Sequence, residues 1–146
     1  MFGKMAFLGT FLFATIACAR PNYQDEVAGS ADNKPAATCA LAFANGLCVD
    51  LQWEQQPTDS EMGSFFLKFY SANDPQIAVD PQSQVGVVLW MPSMGHGSSP
   101  VKIQKVSDGV YRVYNVFFVM PGDWEIRIRL KNDKNETAEV IQPISI

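Results

Sequence analysis

The sequence predicts an all-β chain, an immunoglobulin-like antiparallel β-sandwich of about seven strands, and three observations carry that reading. Seven short segments with period-2 character follow one another from Leu47 to Ile146. Turn chemistry separates them at intervals of roughly 8 to 12 residues, the spacing of sandwich hairpins. Beyond the N-terminal region, no stretch carries a convincing helical repeat of apolar residues.

Taken in order, the chain opens with a short basic start, Met1 to Lys4, followed by an uncharged run of apolar and small residues from Met5 to Ala17. That run is short of the roughly 20 residues a transmembrane helix needs, so residues 1–17 read as an export signal. Two cleavage patterns compete after it. Thr15-Ile16-Ala17-Cys18 resembles a bacterial lipobox, with Thr15 where leucine is usual, while Ala17-Cys18-Ala19 fits the small-x-small pattern of ordinary secretory cleavage. The lipoprotein pattern is preferred, because an isolated cysteine abutting the apolar run otherwise has no explanation. Cys18 would then be lipidated and anchor the protein to a membrane. The expected location is the bacterial cell envelope, facing the periplasm, and Ala19 rather than aspartate after the cysteine favours the outer membrane in a Gram-negative cell.

Residues 18–38 are poor in large apolar side chains and rich in Ala, Asp, Asn, Gly and Pro, the composition of a tether. The domain is expected over 39–146. Cys39 and Cys48 remain as an even pair in an oxidising compartment, for which a disulfide is the default. Their separation matches neither a Cys-x-x-Cys redox motif nor a short zinc knuckle, which weakens the rival reading of a thiolate site.

The candidate strands are Leu47 to Gln55, Gly63 to Tyr70, Val85 to Met91, Val101 to Val106, Val110 to Val119, Trp124 to Lys131 and Glu139 to Ile146. Trp124 to Lys131 is the clearest, with every second residue apolar and every other one charged, so one face is core and the other meets water. Its predecessor turns apolar on both faces toward its end. Asp108-Gly109 and Pro121-Gly122-Asp123 supply tight turns on either side of that strand. Trp53 and Trp124 are expected in the core or between the sheets. Arg127, Arg129 and Lys131 form a basic stripe, read as a solvated strand face or, less commonly, as a docking surface for an acidic partner.

Charge excludes one class of partner. With the leader removed, 11 basic side chains less Lys4 stand against 15 acidic ones, a formal net charge of −5, so nucleic acid is not an expected partner. Enzyme readings find no support: the single histidine excludes any multi-histidine zinc site, and no nucleophile elbow or phosphate loop occurs.

The feature with chemical content is Met91-Pro92-Ser93-Met94-Gly95-His96-Gly97, which sets the lone histidine beside two thioethers in a glycine-bracketed turn. A second turn, Met120-Pro121-Gly122, lies one strand hairpin further on. Two thioethers and an imidazole, completed by a third thioether from Met120, make a neutral soft donor set suited to Cu(I). Methionine also suits oxidising surroundings, where a free thiol would be drawn into disulfides. Met94 and His96 are the leading candidate ligands, with Met91 and Met120 in support. The plainer reading is that Met91 and Met120 end their strands as flexible core plugs, Met94 rests on Trp90 or Trp124, and His96 is a solvated turn residue.

Trp90-Met91-Pro92-Ser93-Met94-Gly95-His96-Gly97, Gly109-Val110-Tyr111, Asn115-Val116-Phe117-Phe118 and Met120-Pro121-Gly122-Asp123-Trp124-Glu125-Ile126 together resemble the YtkA-like domain, a small exported β-sandwich related to FixH-like proteins. The resemblance spans roughly Leu47 to Ile146. It implies a link to copper supply for haem-copper oxidases through the FixH-like relatives, and so a copper-accepting or envelope protein partner. Two functions follow as expectations. One is an exported, lipid-anchored Cu(I)-binding or copper-delivery accessory. The other is a metal-free structural or interaction lipoprotein whose domain is a docking module.

Overall fold

Alternating apolar residues create strands that must each bury one face, and here they do so against one another in two layers. The structure, a computed structural model, describes residues 39–58 and 60–146. The stretches expected to be an export signal over 1–17, a lipidation site at Cys18 and a tether over 18–38 lie outside the described residues. Ten strands run in the order β1 (Leu41–Ala42), β2 (Leu47–Gln55), β3 (Gly63–Ser71), β4 (Asp74–Ala78), β5 (Gln84–Met91), β6 (His96–Gly97), β7 (Lys102–Ser107), β8 (Val110–Val116), β9 (Asp123–Lys131) and β10 (Thr137–Ser145). There is no helix among the described residues.

One sheet has the order β1-β2-β3-β8-β7, with β4 added on β3, and the other has the order β10-β9-β5-β6. Every pairing is antiparallel. Of the seven long strands β2, β3, β5, β7, β8, β9 and β10, the first, second, fifth and fourth make one layer and the seventh, sixth and third the other. That is the strand arrangement of an immunoglobulin constant domain. All seven expected strands are present. The three additional ones, β1, β4 and β6, are too short, or in Asp74–Ala78 too poor in β-branched residues, to show a period.

The core fills the gap between the layers. Val49, Phe65, Leu67, Phe69 and Val113 from the first sheet meet Val87, Leu89, Ile126, Ile128 and Leu130 from the second. Trp124 is buried, as expected, whereas Trp53 is half-buried at the margin of the core, edge-on to Phe65 at 5.2 Å.

The eighth strand stops three residues sooner than its apolar run suggests, and one residue explains it. Asn115 has φ 61, the left-handed region, and it is bulged out where Gly63 pairs with Val116 but Ser64 with Tyr114. The bulge switches the buried phase from Tyr111 and Val113 to Val116 and Phe118. The run that looks apolar on both faces is therefore two one-sided segments joined out of phase.

Cys39 and Cys48 are joined, with their Cα atoms 5.7 Å apart. Cys48 is fully buried on β2, so the bond ties the segment entering the domain to the first sheet. Closing a loop of this size contributes roughly 2–3 kcal/mol on the chain-entropy account.

At the far end of the molecule from the methionine turns, Asp80 links the β4–β5 connection to the β7–β8 hairpin. It accepts hydrogen bonds from the Lys105 ammonium, the Gly109 N–H (2.7 Å) and the Tyr111 hydroxyl (3.1 Å). Lys105 first, then the Gly109 amide, hold its carboxyl below the ordinary value of 3.8. A carboxylate depressed by folding contributes stability that is present above its unfolded value and is lost as pH falls through its folded one. Asp80→Asn is accordingly expected to lower stability at neutral pH and to flatten the acid limb below pH 3.8. Urea midpoints of both proteins on either side of that pH check it; parallel acid limbs would remove Asp80 from the account.

Candidate functional site

Met91 ends β5, and its carbonyl oxygen accepts from the amides of Met94 (3.3 Å) and Gly95 (3.0 Å), which turns the chain back into β6. Gly95 has φ 65, so the return needs a left-handed residue and has one that takes that conformation without cost. Met91 pairs directly with His96 across this hairpin. Opposed residues of an antiparallel pair project to the same face, so both side chains turn toward the interior. The two differ in depth: Met91 is 3% exposed, while His96 is half-buried and meets the Trp124 ring edge-on, with centroids 6.0 Å apart.

The second turn lies between β8 and β9. Trp124, fully enclosed at the start of β9, donates its Nε1–H to the Met120 carbonyl oxygen (3.0 Å) and stacks edge-on with Phe118 at 5.2 Å. This indole therefore fixes the turn that carries Met120 and also supports His96 of the other turn. The turn is closed from the C-terminus as well, where Gly122 and Ile146 exchange both backbone hydrogen bonds at 3.0 Å. Gly122 sits so close to Met91 that a Cβ there would lie 2.7 Å from the Met91 methyl.

The two turns meet along an open cleft of about 480 Å³, lined by residues 91–94 of the first and 120–123 of the second. Of the four candidate ligands, the cleft brings together Met91, Met94 and Met120. Met94 (60% exposed) and Met120 (37%) stand at its rim, with Met91 behind them. Met120 is thus not the buried plug that the plainer reading makes of it, whereas Met91 is. His96 does not line the cleft. Its Nδ1 lies 3.2 Å from the Gly97 carbonyl oxygen, a contact satisfied by the tautomer protonated on Nδ1, which leaves the Nε2 lone pair without a proton.

Two participants escape sequence reasoning. Asp123 lines the same cleft and brings the one carboxylate to it, held by the Ser145 hydroxyl at 2.6 Å. Trp124 is legible as a core residue, but its link to the Met120 carbonyl is not, because that bond depends on how the turn closes. No group of three His, Cys, Asp or Glu side chains able to hold a metal occurs among the described residues.

The basic stripe resolves into local pairs. Arg127 binds Glu125 at 2.7 Å and lies over the Trp90 ring at 5.2 Å, and Arg129 binds Glu139 at 2.5 Å. Lys131 has no ion pair among the described residues.

Compared with known proteins, residues 42–129 match the model of the YtkA-like family, a span that runs from within β1 into β9 and includes both methionine turns. No curated protein and no solved structure matches the chain.

Proposed function

The chain belongs to the YtkA-like family, and from that premise we propose that it is an exported, lipid-anchored accessory protein that binds Cu(I) at its methionine cleft and delivers it to an envelope partner. The observation that supports this reading is the convergence of Met94 and Met120, 26 positions apart in sequence, on one open cleft with Met91 behind them. Neutral thioethers are soft donors that favour Cu(I) over Zn²⁺ and do not titrate, so their affinity survives acid.

The depths of the donors suit a carrier. Met94 and Met120 reach an incoming ion without any opening of the fold, whereas Met91 joins only if its methyl swings from beneath Gly122. His96 stands outside the cleft lining, against Trp124, and is a secondary donor whose available nitrogen is Nε2, since Nδ1 is engaged by Gly97. An exposed two-thioether rim allows an acceptor with its own soft ligands to take the ion by stepwise exchange. Export and anchoring rest on the apolar run Met5 to Ala17 and on Cys18.

The test is an anaerobic Cu(I) titration of the full chain in competition with a chromogenic chelator. Stoichiometric binding is expected, and Met94→Leu and Met120→Leu should each weaken it by at least about tenfold, equivalent to about 1.4 kcal/mol. Both side chains are exposed, so the melting temperature should barely change. His96→Ala should weaken binding less. Absence of binding, or binding indifferent to both leucine variants, would end the copper reading.

A metal-free docking module is the second reading, and one observation favours it. Val119 and Ile146 are exposed beside a hollow of about 200 Å³ that shares Met120 and Pro121 with the methionine cleft, so this end of the sandwich is apolar beyond what a copper site needs.

A further inference from the structure

At the opposite end of β5 and β9, on the outer face of the second sheet, lies an open hollow of about 710 Å³ whose floor is Gly86. Val85 packs into the core, so Gln84 and Gly86, on either side of it, face outward. It pairs with Arg129, which pairs with Glu139, while Gln84, Lys131 and Thr137 form the adjoining row. The volume lies within the roughly 300–1,000 Å³ of small-molecule sites.

Gly86 is what makes the hollow informative. A glycine inside a strand weakens it and often marks a place where another molecule approaches the backbone. At Gly63 and Gly109 the packing demands glycine: a Cβ on Gly63 would lie 2.6 Å from Pro57 Cδ, and one on Gly109 2.5 Å from Val79 N. On Gly86 a Cβ would meet only Arg129, its Cβ at 3.8 Å and its carbonyl oxygen at 4.0 Å, both ordinary contacts, and its φ is not in the left-handed region. Neither sterics nor backbone conformation requires this glycine, so what it supplies is open floor.

We propose that this hollow is a binding site for a small hydroxylated carboxylate, such as an acidic sugar. Lys131 is unpaired, and Arg129 is bound to Glu139 through Nε, which leaves its terminal nitrogens without a protein partner among the described residues; both side chains line the hollow. Together they offer one carboxylate a fork and a point charge. Glu139 beside them, in a chain of net charge −4, selects a monoanion over a phosphate dianion. The Gln84 and Asn135 amides and the Thr137 hydroxyl at the rim have no side-chain hydrogen bond among the described residues and match sugar hydroxyls. The site is independent of the copper reading, for it shares no residue with the methionine cleft.

The test follows amide resonances of the isotope-labelled full chain during titration with glucuronate, with glucose and inorganic phosphate as controls. Glucuronate is expected to move Gly86, Arg129 and Lys131 with a Kd of about 1 mM, while neither control does so at the same concentration. Gly86→Val should keep the melting temperature and abolish the shifts, and Lys131→Gln should weaken binding severalfold in an undisturbed fold. No response to glucuronate overturns the proposal. So do equal responses to glucose or to phosphate, or an undiminished response in both variants.

Discussion

Trp124→Ala is expected to lower the stability of the domain by about 3–5 kcal/mol, the range for truncating a large buried aromatic. The indole is 1% exposed and packs edge-on against Phe118 and His96, one ring on each of the two methionine turns' flanks. Its removal leaves a cavity between the turns and frees the Met120 carbonyl oxygen from its donor. Trp124→Phe separates the two effects, since it keeps most of the packing and loses the Nε1–H. It should cost much less than the alanine variant, yet still release the second turn. If Cu(I) is bound as proposed, the phenylalanine variant loses affinity out of proportion to its lost stability, because Met120 is no longer held opposite Met94. Denaturant midpoints and chelator competition on the same two variants read these quantities. A phenylalanine variant with full copper affinity would show that Met120 needs no fixed position.

Gly109→Ala is expected to cost about 2–5 kcal/mol, the sum of left-handed backbone strain in a residue with a Cβ and of overpacking. Gly109 has φ 68, and its added Cβ would lie 2.5 Å from Val79 N and 2.9 Å from Ala78 C. Those are backbone atoms and cannot rotate aside. They also belong to a linked set of bonds: the Phe69 amide donates to the Gly109 carbonyl oxygen and the Val79 amide to the Phe69 carbonyl oxygen, each at 2.8 Å. Relief of the clash therefore pulls β4 from β3 or the β7–β8 turn from Asp80. Asp108→Ala, one residue away, removes an exposed carboxylate paired with Lys105 and should change stability by no more than about 1 kcal/mol. Urea unfolding of the two variants gives the comparison, and similar costs would mean that the turn adapts.

The strands were legible because their signal is local. In Asp123–Lys131 the alternation of Trp124, Ile126, Ile128 and Leu130 with outward residues is written in the chain, and the burial of all four follows from it. The same holds for the hairpin at Asp108-Gly109, whose left-handed glycine the turn requires. Asn115 shows where this reading ends. Its bulge is set by pairing with Gly63 and Ser64 on a strand some fifty positions earlier, so no periodicity within β8 reveals that the phase switches there. β4 was invisible for a related reason: Asp74–Ala78 is extended by its pairing with β3 rather than by its own propensity.

The candidate site divides along the same line. Sequence by itself determined the kinds of donor present, three thioethers and one imidazole in two turns, and hence the soft-metal chemistry open to them. It also determined that each turn follows a core strand. Tertiary structure alone decided which donors share a cleft, that Met94 and Met120 face water while Met91 lies under Gly122, and that His96 turns instead to Trp124. It alone placed Gly86 beneath Arg129 and Lys131, since that neighbourhood exists only through the register of β5 on β9. The physical reason is one of range. Strand, turn and ligand type follow from interactions over a few residues, whereas pairing order, depth and convergence are set by long-range contacts that form only when the two sheets close on their core.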